Sequence, residues 1–179
     1  MGSDFDHESA IAIAELLAPD RLDIAASVRA APTGDDASAV LSERLQDAEL
    51  LTYFDWASRP ADCREWMQDL RSYPSAMSWD WWQDFLEEVD GLDPGETNER
   101  FLERAGDACL SAGTALITID SGSDGGDFGF TPASNVQRVV AIPNLHVVKT
   151  GWQDSKSGHS ADIREWARQN AHKVTEPSS

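Results

Sequence analysis

Three carboxylates crowd the segment Asp120-Ser121-Gly122-Ser123-Asp124-Gly125-Gly126-Asp127. An oxygen-rich, Gly-rich turn of this kind is what a hard divalent cation takes as a site. Asp120, Asp124 and Gly125 imitate positions one, five and six of a helix–loop–helix calcium loop, but Gly122 fills a ligand position and Thr131 stands where the bidentate Glu belongs. The pattern therefore fails as a calcium loop. A tight hairpin, with Gly at positive φ and Asp or Ser bonding the local backbone, is the preferred reading. A metal-dependent hydrolase using Asp120, Asp124 and Asp127, with Asp55 in support, is the alternative. No cofactor is expected, and a divalent cation enters only with that alternative.

Two further carboxylates sit among aromatics: Asp55 in Tyr53-Phe54-Asp55-Trp56, and Asp80 in Trp79-Asp80-Trp81-Trp82. Burial beside aromatic rings raises a carboxyl pKa toward the range of a general acid. The same clusters could form a stacking surface or a binding hot spot, with Trp56, Trp79 and Trp82 as anchors. Core packing is the first reading for such Trp residues, and Asp80 near a helix start suits the helix dipole. Ser121 and Ser123 lie after a strand but outside any Gly-x-Ser-x-Gly elbow. His7, His146, His159 and His172 are scattered, and the chain has no phosphate-cradling glycine loop. Cys63 and Cys109 are too few for a disulfide framework and fall on apolar helix faces as small hydrophobes. Enzymatic chemistry is therefore the minor expectation.

These residues are carried by 179 amino acids, enough for one domain with a substantial core. There are 32 acidic against 14 basic residues, a net charge of −18. Residues 1–131 hold 28 acidic and 8 basic, a balance of −20, and residues 132–179 hold 4 and 6, a balance of +2. Direct nucleic-acid binding needs Lys and Arg and is disfavoured, as is docking to an anionic membrane. A basic protein is the partner such a field attracts, and solubility is its plainer use. No apolar run approaches a membrane span, and no basic-then-apolar leader opens the chain. A cytoplasmic protein is expected.

The periodicity predicts a helix after Asp6 or His7 on Ala10, Ile11, Ala14, Leu17 and Ala18, broken by Pro19. A second carries Leu22, Ile24, Ala25 and Val28, and a third Ala37, Val40, Leu41, Leu45 and Ala48. Leu50–Trp56 reads as the first strand. Pro60 then opens a helix on Cys63, Trp66, Met67, Leu70 and Tyr73. Ser78 caps a helix carrying Trp81, Trp82, Phe85, Leu86 and Val89. Asp93-Pro94-Gly95-Glu96 opens another, on Phe101, Leu102, Ala105, Ala108 and Cys109, which stops at Gly113. Thr114–Asp120 is the clearest strand, and it pairs as a hairpin with Phe128–Phe130. Residues 132–142 lean to helix over strand, Leu145–Thr150 to a last strand, and Ser160–Ala171 to a terminal helix. The sum is an α+β fold: a small mixed or antiparallel sheet of about four strands packed against several helices. Residues 1–150 form a single domain, and 151–179 an amphipathic helix and a frayed tail.

Phe54-Asp55-Trp56 on an early strand, with Leu116-Ile117-Thr118-Ile119-Asp120-Ser121-Gly122-Ser123-Asp124 on a later one, resembles a bacterial family of unknown function. That family is marked by an aromatic-Asp-Trp strand and an Asp-x-Gly-Ser-Asp hairpin. The resemblance covers residues 45–150 and implies a fold rather than an activity. Ala57 and Gly125 stand where its pattern has a basic residue and an aromatic. In size and acidity the chain is also similar to the immunity proteins that bacteria encode beside secreted toxins. The leading expectation is a non-enzymatic acidic binding protein, an immunity-type inhibitor whose partner is a basic protein such as a cognate toxin. An acidic nucleic-acid mimic, occupying a DNA-binding enzyme, is the further alternative.

Overall fold

The computed structural model describes residues 6–55, 57–120 and 125–152. Three helices come first: α1 (His7–Leu17), α2 (Leu22–Arg29) and α3 (Gly34–Asp47). Asp6 caps α1 by accepting from the Glu8 N–H, and Thr33 caps α3 by accepting from the Asp36 N–H. Each cap satisfies an orphan donor of the first turn. Strand β1 (Leu51–Phe54) follows, then α4 (Pro60–Gln68), α5 (Trp82–Glu88) and α6 (Pro94–Ser111). The chain returns as β2 (Thr114–Ile119) and β3 (Gly126–Pro132). A 3-10 turn (Ala133–Asn135), α7 (Val136–Val140) and β4 (Leu145–Val147) complete it.

The four strands form one antiparallel sheet in the order β1-β3-β2-β4. Alternation along β2 sends Ala115, Ile117 and Ile119 to one core, with Ala10, Ile13, Ile24, Val28, Leu41 and Leu45 of α1–α3 and with Val136 and Val139 of α7. Leu116 goes to the opposite core with Phe54, Cys63, Met67, Phe85, Phe101 and Cys109, built by α4–α6. The sheet is thus the middle layer of three. Two buried faces explain why β2 reads as a continuous apolar run rather than an alternating one.

The α+β expectation holds, with the sheet antiparallel. Several bounds shift. The first strand ends at Phe54, and the last stops at Val147 instead of Thr150. The Pro60 helix ends at Gln68, although Leu70 stays buried beyond it. Ser78 does not cap α5: its hydroxyl accepts from the Asp80 N–H, closing a turn, and the helix begins at Trp82. Within 132–142, residues 133–140 are helical, as preferred, while Pro132 closes β3. No helix of the described residues is long and apolar enough to cross a membrane. The terminal helix expected over 160–171 lies outside the described residues.

Two glycines hold special places. Gly113, at φ +80, turns the chain from α6 into β2. Gly106 lets α6 approach the chain beyond β4 so closely that a Cβ there would lie 1.9 Å from the Val148 carbonyl oxygen.

Candidate functional site

The carboxylates that the sequence groups in one turn are parted by the sheet. Asp127 belongs to β3, not to the turn, and stands opposite Ile119 of β2, whose side chain enters the α1–α3 core. Directly opposed residues share a face, and so the Asp127 carboxylate meets α3. It accepts from Ser42 Oγ at 2.6 Å and from Gln46 Nε2 at 2.8 Å. This buried carboxylate is a tie between sheet and helix. Asp120 comes one residue after Ile119, and its Oδ2 lies 4.0 Å from His146 Nε2. His146 stands opposite Thr118, on the sheet's other face. Asp120 and Asp127 therefore do not converge. Among the described residues no group of three or more His, Cys, Asp or Glu could hold a metal ion. Ser123 and Asp124 lie outside the described residues.

Asp55 is exposed, and its Oδ1 accepts from the Ala57 N–H at 3.1 Å while its own N–H bonds Ser58 Oγ at 2.9 Å. Its carbonyl takes a bond from the buried Asn98 of α6, which anchors the end of β1. Asp80 is exposed too. A general-acid role drawn from burial among aromatics thus lacks its premise at both positions. Trp56 lies outside the described residues. Both cysteines are buried, and burial pushes each thiol up to about 12, so neither supplies a thiolate nucleophile at neutral pH.

The other aromatic segment does assemble. Trp79, Trp81 and Trp82 are half-buried, and they pack on Phe85 and Phe101 of the second core. They are the outer wall of that core rather than its centre. Trp79 Nε1 donates to Tyr73 Oη at 2.7 Å, and Trp81 Nε1 to the Ser78 carbonyl at 2.9 Å. The rings of Trp79 and Trp82 meet edge to face, at 81° with centroids 6.0 Å apart. In the corner between them lies the Arg64 guanidinium, 4.5 Å from one ring and 4.9 Å from the other. The segment that carries this wall is acidic: residues 72–99 hold eight acidic residues and no Lys or Arg. Seven of the eight are exposed, Asp80, Asp84, Glu87, Glu88, Asp90, Asp93 and Glu96. Leu86 and Leu92 stand 41% and 37% exposed among them.

Trp79, Asp80 and Trp82 are thus brought to one surface. Asp55 and Asp120 lie at one end of the sheet, where β1 and β2 end. Arg64, Tyr73 and Phe101 were missed as parts of the aromatic site. The available signal was a lone cation at the edge of the α4 apolar stripe, between Cys63 and Met67. Residues 8–168 match the family described as Domain of unknown function (DUF6630). No curated protein and no solved structure matches the chain. A match over this span places the chain in a family, and it is as a member of the DUF6630 family that the protein is to be read.

Proposed function

We propose that this protein is a non-enzymatic binding protein whose partner is a basic protein, held on the aromatic wall around α5. One observation carries the reading: a surface where Trp79, Trp81, Trp82, Leu86 and Leu92 are partly exposed and every charge from residue 72 to 99 is negative. Half-exposed Trp residues ringed by polar groups have the anatomy of a binding hot spot. The acidic rim steers a cationic partner and speeds its encounter. An immunity-type inhibitor that neutralises a basic toxin is one protein of this class.

The test is capture from the lysate of the host with the purified chain, followed by titration of the captured protein in pure form. The control is Asp84→Asn/Glu87→Gln/Asp90→Asn, which removes exposed charge and leaves the ion pairs of Glu88 with Arg100 and Arg104 in place. The expected result is one basic protein that binds directly, is released as salt rises and is lost to the variant. A set of DNA-binding proteins displaced by duplex DNA would replace this reading with nucleic-acid mimicry. Equal binding by wild type and variant would overturn the assignment of the surface.

A further inference from the structure

The remaining basic side chains of the second helical layer are occupied by carboxylates. Arg59 pairs with Asp62, Arg71 with Glu49, and Arg100 and Arg104 both with Glu88. Arg64 differs. It makes no ion pair and no side-chain hydrogen bond among the described residues, and it lies on two indole faces instead. An Arg held only by ring faces keeps its five N–H donors for water and is fixed by no directional bond. The corner between Trp79 and Trp82 is therefore a guanidinium site.

We propose that the Trp79–Trp82 corner is the specificity pocket of the binding surface, that it takes an arginine side chain of the basic partner, and that Arg64 fills it until the partner arrives. The proposal rests on the reading of the α5 surface as a docking face for a basic protein. Charge complementarity favours the exchange. An incoming arginine brings positive charge onto an acidic rim. A flat, weakly hydrated guanidinium stacks on indole better than a compact ammonium does, so the pocket selects arginine over lysine.

The experiment titrates hexa-arginine amide and hexa-lysine amide into the full chain by calorimetry, with wild type, Arg64→Ala and Arg64→Ala/Trp82→Leu side by side. Removing Arg64 also removes one positive charge, which strengthens both peptides alike. The ratio of the two affinities is therefore the readout. The expected result is a preference for arginine that widens in Arg64→Ala by about two- to thirty-fold, the range of a stacked cation, and collapses in the double variant. Should the double variant fail to fold by circular dichroism, the ratio in Arg64→Ala against wild type decides alone. If both peptides bind every variant with an unchanged ratio, the pocket is refuted while the acidic docking face stands. If neither peptide binds any variant, the pocket and the docking face fall together.

Discussion

Glu103 sits part-buried on α6, with Glu99 and Asp107 one turn away on either side. Burial is the main cause that holds its carboxyl above the ordinary 4.5; Glu99 and Asp107 push the same way, while the Gly151 N–H and Arg100 oppose. The folded chain thus keeps this proton to higher pH than the unfolded chain does, and stability falls as pH climbs past 4.5 through the folded value. Glu103→Gln removes the charge and retains an oxygen for Gly151. Its Tm is expected above wild type at pH near 7 and level with it once both side chains are neutral, below the unperturbed carboxyl range. Paired thermal melts across that interval check the sign, and a variant that melts lower at neutral pH would contradict it. At this scale the sequence was legible in part. It showed which carboxylates were unusual but grouped Asp120 with Asp127, because the pairing of Ile119 with Asp127 that sends them to opposite faces is a register, and register is not written in composition. Arg64 was hidden for a similar reason. Its contact with Trp79 depends on how α4 packs against a later turn, which local spacing does not encode.

Helices were easier to read than their junctions. Asp93 and Pro94 open α6 as the sequence proposes, the Asp93 Oδ1 accepting from the Glu96 N–H at 2.9 Å. Ser78 misled because a good capping residue lay three positions before an apolar stripe. Trp79 and Trp81 instead use that stretch to reach Phe101, and tertiary packing overrode the local cap. The same contest decides a prediction on α6. Helix propensity alone makes Gly→Ala in mid-helix favourable by about 1 kcal/mol. At Gly106 the new methyl would meet the Val148 carbonyl at 1.9 Å, against backbone that has no rotamer to yield. Gly106→Ala is expected to destabilise by about 3 kcal/mol or more, toward the upper end of overpacking costs, as read from urea unfolding. A neutral or stabilising result would show that α6 and the turn after β4 are not locked together.

For the molecule as a whole, 32 acidic residues face 14 basic ones. Ion pairs such as Arg21–Asp23 and Arg71–Glu49 are exposed, and solvent-exposed pairs contribute little to stability. The unmatched carboxylates repel one another, and that repulsion is screened over about 10 Å at 0.1 M salt. Raising sodium chloride from about 0.02 M to about 0.5 M, where screening tightens, is expected to raise the Tm by several degrees in a scanning calorimeter. A Tm that falls with salt would mean that the ion pairs dominate. The charge balance, the α+β class and the existence of β2 were all open to reading from the sequence. The strand order was not, since β1 pairs with a strand made more than seventy residues later.

That long reach shapes how the protein is born. A chain leaving the ribosome releases β1 (Leu51–Phe54) well before its partner β3 (Gly126–Pro132), and all of α4–α6 is made in between. The three leading helices pack on one another and have neighbours at once, but their sheet-facing side has nothing to cover it until the hairpin emerges. For that interval the nascent protein is a helical bundle with an open apolar floor and an idle strand. The arrival of β2 and β3 gives the two cores their shared floor, and α7 and β4, made last, finish the closure.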